Sequence, residues 1–231
     1  MACWYLHAVA QRDAIDRTLN ELFDAERTVR RIHDELASLP PAELLDALEP
    51  ALSAALREPN EDEAALRLVR IANLLGEQQG TRAVDALIDV LSSDSPEARR
   101  AAGEELEGLA YERFKEVAGG VERALKRLPI GSPALPELPY LLGEVPEPGV
   151  MRLLGQFLAH KDPDAVAAAI EVLAEIGDPQ AVKLLEPLVE DTRVVELADD
   201  GGDDTSEASI GELAGEAIEL LQSFEDGEDD A

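Results

Sequence analysis

Apolar residues recur along most of this chain at the spacing of a helix face, and the stretches come in pairs. The clearest pair occupies residues 162–190. Val166, Ile170, Leu173 and Ile176 fall three or four positions apart, the period of one side of an α-helix. Asp162-Pro163-Asp164 precedes them, which places a capping carboxylate and a proline at the first helical position. Gly177 ends the stretch, Asp178-Pro179 restarts the chain, and Ala181, Leu184, Leu185 and Leu188 form a second stripe.

The same arrangement recurs at a fixed interval. Leu74-Leu75-Gly76-Glu77, Gly108-Leu109-Ala110, Leu141-Leu142-Gly143-Glu144 and Glu175-Ile176-Gly177-Asp178 close successive first helices. Their markers, at 76, 110, 143 and 177, are 34, 33 and 34 residues apart. The starting positions Asp62, Pro96, Pro129 and Pro163 keep the same offset. The spacing predicts two-helix units near 61–93, 94–127, 128–161 and 162–190. Neither helix of a unit can bury its stripe alone, so the units must stack side by side. Six prolines crowd the third unit, whose first helix is therefore expected to be short, near 134–143. Gly119-Gly120 lies inside a helical stretch and suggests a close helix approach or a kink.

The ends differ from the middle. Residues 3–37 predict one long helix, with Ile15, Leu19, Leu22, Val29 and Leu36 on a four-three spacing that Glu26 and His33 interrupt. Pro40-Pro41 breaks the chain, and 42–57 predicts a second helix through Leu44, Leu45, Leu48, Leu52 and Leu56. Residues 1–60 thus form an N-terminal helical cap, and 61–224 a stack of helix pairs. Within the terminal cap, 191–224, an insertion at 194–205 has room for a small hairpin, and 206–224 predicts a last helix. The acidic tail, 225–231, is expected to be disordered. The fold class is all-α, and an aromatic content of 3% beside 45% hydrophobic residues agrees with close-packed helices.

Charge narrows the partners. Fifty acidic and 20 basic residues give a net −30, and residues 190–231 alone contribute −15. That balance repels nucleic acid and anionic membranes and suits a basic partner or high solubility. A single cysteine, Cys3, rules out an intrachain disulfide, and no run of about 18 apolar residues exists. Ala8-Val9-Ala10 resembles a signal-peptidase site, but no basic residue precedes it and the apolar run is short. The expectation is a cytoplasmic protein without membrane insertion.

The stretch from Asp162 to Val182, with its Asp-Pro opening, its alanine-rich middle and its Ile176-Gly177-Asp178-Pro179 turn, resembles bacterial HEAT repeats. The likeness is to the subtype first associated with phycobilisome lyases. Asp191-Thr192-Arg193, an acidic insertion and Ile210-Gly211-Glu212-Leu213-Ala214 look like a final repeat of that kind. The resemblance implies a right-handed α-solenoid of helix pairs acting as a non-catalytic protein-binding scaffold or adaptor. It also leaves open a bilin lyase or lyase-like chaperone.

Catalytic and metal chemistry finds little footing. Cys3 and His7 share a helix face, yet a zinc site needs three or four ligands. The run Asp199-Asp200-Gly201-Gly202-Asp203-Asp204 departs from the register of a calcium loop, and a solvated loop is the plainer reading. There is no phosphate loop, nucleophile elbow or paired-cysteine motif. No cofactor is expected. Trp4 and Tyr5 could anchor a partner, but capping the first helix is the plainer reading.

A charge asymmetry points to a face. The first-helix segments 61–79, 94–111, 128–144 and 162–178 hold 16 acidic and 4 basic residues. The second-helix segments 80–93, 112–127, 145–161 and 179–190 hold 8 acidic and 9 basic. In HEAT pairs the second helices line the concave side. A mixed-charge inner face is therefore expected, with Asp85, Arg152 and Lys183 at equivalent positions. Asp89, Arg123 and Gln156 follow one turn on, and Arg82 lies one turn before Asp85. These seven are the candidate partner-binding residues. The competing reading is that inner-face charges pair locally, as Glu122 with Lys126. A third reading gives the acidic C-terminal end a basic partner.

Overall fold

A computed structural model describes residues 2–198 and 205–228, with side-chain surroundings for 11–196 and 206–223. It resolves into two compact units, residues 1–46 and 47–231, whose division falls within the second helix. The expected N-terminal cap, 1–60, spans that division.

In the first unit α1 (Ala2–Ala37) is a single helix, as its spacing predicts. Its apolar stripe meets solvent: Ile15, Leu19, Leu22, Phe23, Ile32 and Leu36 are all exposed. The chain turns at 38–40 and begins α2 (Pro41–Ala55), where Pro41 supplies a first-turn residue that needs no hydrogen-bond donor. Leu44 and Leu45, early in α2, are buried.

The second unit is an all-α repeat solenoid carrying one small hairpin. After the end of α2 come α3 (Glu61–Gly76), α4 (Thr81–Leu91), α5 (Pro96–Arg127), α6 (Ala134–Gly143), α7 (Val150–Leu158) and α8 (Pro163–Ile176). The short α9 (Val182–Leu185) sits between two 3-10 turns, and α10 (Ile210–Glu228) closes the described chain. Caps agree with the residues that signalled them. Asn60, Ser95 and Asp162 each accept the backbone N–H three residues on, and Gly177 ends α8 in the left-handed conformation at φ 70°.

Two layers run through this unit. In the first layer α3 packs on the N-terminal half of α5, α6 on α8, and α8 on α10. In the second layer α4 packs on the C-terminal half of α5, and α7 on α9. Leu68, Leu75, Leu87, Ile88, Leu106, Leu135, Leu142, Leu153, Phe157 and Leu173 are at most 2% exposed and fill the space between the layers. Burying each such side chain contributes roughly 1.5–3 kcal/mol. Glycines mark the tight points. A Cβ on Gly120 would strike Val84 of α4, and one on Gly149 would come within 2.6 Å of Phe114. Close approach is thus the role of Gly120, whereas a Cβ on Gly119 would meet only the Arg123 side chain of its own helix.

Several details differ from the sequence reading. The unit 94–127 has no loop between its helices. Its two helices instead run directly into each other as α5, and the boundary expected at 111–112 is a bend at Arg113, where φ −141° and ψ 49° leave the helical region. Arg113 donates from both terminal nitrogens to the Gln78 carbonyl at 3.1 and 3.2 Å, and Glu116 accepts the Gly80 N–H at 2.9 Å. The bend is therefore held by the α3–α4 turn, in which Gly80 stands at φ 95°. Leu184 and Ile176 were expected inside but are 37% and 39% exposed. Pro187 and the 3-10 turns keep the segment 179–188 from being one continuous helix, so its stripe cannot all face one way. The insertion does form a hairpin: β1 (Val194–Ala198) pairs antiparallel with β2 (Thr205–Ser209), Val194 opposite Ser209. The Asp199–Asp204 run at its tip lies outside the described residues. The last helix runs to Glu228, beyond the expected end at 224, and 229–231 are outside the described residues.

Candidate functional site

The second-layer helices carry a ladder of ion pairs between neighbouring repeats. Arg82 of α4 reaches back to Glu49 of α2 at 2.8 Å. Arg123 of α5 meets Asp85 of α4 side-on, its Nε 3.0 Å from both carboxylate oxygens. Its Nη2 lies 2.9 Å from Oδ1 without hydrogen-bond geometry, and is buried. One turn on, Arg127 pairs with Asp89 at 2.5 Å and donates to the Asp85 carbonyl at 3.1 Å. Arg152 of α7 then reaches Glu122 of α5 at 2.6 Å, and Gln156 donates to the same oxygen at 3.4 Å. These donations hold the Glu122 carboxyl below the usual carboxylate range, with the Lys126 charge adding a smaller pull.

Sequence spacing therefore grouped residues that the structure brings together, and misread their internal contacts. Six of the seven candidate residues sit in the ladder, and Glu49, Glu122 and Arg127 complete it. The partners come from the adjacent repeat, 30 to 42 positions away, and Glu122 takes its hydrogen bonds from there and not from Lys126. Recurrence of opposite charges at one repeat's distance was the signal available for Arg127 and Glu122. Lys183 is the exception. Asp85 and Arg152 each lie nine residues after their closing glycines, Gly76 and Gly143, but Lys183 lies six after Gly177. That offset matches Arg82, because Pro179 starts the last second-layer segment at once after the turn. Lys183 is exposed.

All the ladder pairs are partly solvated. Exposure of their side chains runs from 33% at Asp85 to 60% at Arg152. Each contributes about 0–1 kcal/mol to stability, screened by salt. Their charges remain near enough to solvent to meet a ligand. The first-layer side differs in sign. There Tyr140 of α6 donates to Glu171 of α8 at 2.5 Å, and its hydroxyl pKa is pushed far up, first by burial and then by that bond and the carboxylates of Glu171, Glu175 and Glu137.

A second polar cluster locks the C-terminal repeat. Asp162, 1% exposed, accepts N–H groups from Ala165 at 3.1 Å and Gly131 at 2.6 Å. Arg193 donates to the His160 carbonyl at 2.8 Å and grips Asp191 side-on. Hydrogen bonds from Arg193 lower the Asp191 pKa. Burial raises that of Asp164, helped by the charges of Asp162 and Glu196. This cluster ties a turn to a cap and presents no open ligand position. Among the described residues no group of three or more His, Cys, Asp or Glu side chains is arranged to hold a metal. Cys3, Trp4, Tyr5 and His7 lie outside the residues whose side chains are described. No helix among the described residues is long and apolar enough to cross a membrane.

The class defined by this geometry is the helical-pair repeat solenoid. Residues 140–198 match the family model for HEAT repeats. They cover α7, α8 and the start of the hairpin, and the match is to HEAT repeats as such, without the lyase subtype. No curated protein matches the chain. Among solved structures, one engineered protein is 21% identical over 84% of this chain and 88% of its own, at a TM-score of 0.33. A second engineered protein is 21% identical over 86% and 92%, at 0.35. A designed armadillo repeat protein in complex with the peptide (KR)4 is 16% identical over 85% and 92%, also at 0.35.

Proposed function

We propose that the chain is a non-catalytic protein-binding scaffold that receives a segment of another protein along its second-layer face. The observation that carries this reading is the row of half-exposed ion pairs from Glu49 to Arg152, continued in sequence by Lys183. A row of this kind offers alternating donors and acceptors to an extended polar segment, repeat by repeat. Its stabilising value within the fold is small, so its charges are available to exchange partners. The acidic first-layer helices repel nucleic acid, and this favours a protein ligand.

The reading predicts a distinct behaviour in capture experiments. The tagged chain and a variant carrying Arg123→Glu, Arg152→Glu and Lys183→Glu are incubated with extract of the source cell, and retained proteins are compared by mass spectrometry. A protein retained by the parent and lost from the variant, with both chains equally helical by circular dichroism, supports the face. Equal retention of every specific protein overturns it.

A further inference from the structure

Within the first unit, the apolar stripe of α1 is covered by no other helix among the described residues. Ile15, Leu19, Leu22, Glu26, Val29, His33 and Leu36 follow alternating steps of four and three, the repeat of a two-stranded coiled coil. Its large side chains are bare: Ile15 is 53% exposed, Leu22 54% and Phe23 51%. Such a patch needs a cover. The charge of the segment permits a close copy of itself. Residues 11–37 hold 7 acidic and 5 basic residues, a net −2 within a chain of net −30. Arg27 pairs with Asp24 and Arg31 with Glu35 along the helix, whereas among the described residues Asp16 and Arg30 have no ion-pair partner.

We infer that α1 docks antiparallel onto α1 of a second copy of this chain, about a two-fold axis beside Phe23. Residues flanking an antiparallel seam face their own kind, with positions summing to a constant. Centred on Phe23, that relation sets Phe23 against Phe23 and places Asp16 opposite Arg30 of the other copy, twice over. Within the seam Leu19 then meets Val29, and Ile15 meets His33. Glu26 faces Leu22 and keeps its carboxylate toward solvent. The seam from 15 to 36 is about 33 Å long at 1.5 Å per residue. A parallel pair is disfavoured by the same residues. It stacks Glu26 on Glu26 and His33 on His33, and it leaves Asp16 opposite Gln11 and Arg30 opposite Ala25.

Sedimentation velocity of the full chain across a concentration series tests the pairing. A monomer–dimer equilibrium is expected. Asp16→Arg should weaken it by about tenfold, since both symmetric pairs become repulsive, and the double exchange Asp16→Arg with Arg30→Asp should restore it. In a Cys3→Ser background, Phe23→Cys should form an intermolecular disulfide on mild oxidation, because the two-fold axis brings that position to its own copy. A chain monomeric at all concentrations overturns the inference. So does a dimer indifferent to Asp16→Arg, or one in which Phe23→Cys does not cross-link.

Discussion

Val172 closes over Gly143: its Cγ1 lies 2.7 Å from where a Cβ on that glycine would sit. The same relation holds one pair of repeats earlier, where Glu105 lies over Gly76. In both cases 29 residues separate the two positions, from the last turn of one first-layer helix to the middle of the next. The 34-residue period is thus also a packing rule, in which the end of each such helix must be small enough for its successor to lie on it.

The two glycines should therefore respond unequally to alanine. At Gly143 the new methyl meets a stiff, buried, β-branched Val172, and Gly143→Ala should destabilise by about 1–2 kcal/mol after the gain in helix propensity. Adding Val172→Ala should remove that clash without restoring full stability, because it leaves a cavity. At Gly76 the obstacle is the flexible end of Glu105, so Gly76→Ala should cost less. Urea unfolding midpoints of the four chains decide the order.

Asp162 is where capping and inter-repeat bonding coincide. Asp162→Ala removes the α8 cap and orphans the Gly131 N–H, and should destabilise by about 2–3 kcal/mol. Asp162→Asn retains an acceptor and should cost roughly half as much. Chemical denaturation measures both.

Coupling across the ladder should be real but modest. A double-mutant cycle on Asp85→Ala and Arg123→Ala should yield about 0.5–1 kcal/mol at low salt and less at high salt. A value several times larger would mean the pair is a structural lock, poorly suited to exchange partners with a ligand.

Acid should weaken the C-terminal repeat through Asp191. Its folded pKa lies below the ordinary value, so the Arg193 contact contributes stability above the unfolded-state pKa, about 3.9. That contribution declines as pH falls below about 4 and is gone below the depressed folded value. Asp191→Asn should be less stable than the parent at pH 6, and the difference should shrink toward pH 2. Stability against urea across that range, read by circular dichroism, shows whether the two curves converge.

Most of the architecture was legible because three local signals coincided. Asp162-Pro163 starts a helix, Gly177 stops it, and the interval repeats. The place of the bend at Arg113 was legible from the period, which sets the boundary at 111–112, but its cause was not. Nothing in Tyr111-Glu112-Arg113-Phe114 breaks a helix locally, and the distortion is imposed by the Gln78 carbonyl 35 residues earlier. Exposure of Leu184 likewise follows from how 3-10 turns rotate the segment, a property of its neighbours more than of its own pattern. The candidate face was readable as a net charge difference. The pairing of Arg123 with Asp85 was not, because a sequence shows which residues share a face but not which repeat supplies the counter-ion.

Side-by-side stacking of consecutive helix pairs is what everything else depends on, and methyl NMR reaches it directly. With the Val methyls labelled, nuclear Overhauser contacts are expected between Val172 and the Gly143 Hα and between Val84 and the Gly120 Hα. Both contacts present would fix each glycine against the neighbouring helix. Absence of both in a folded, fully helical chain would contradict the stack.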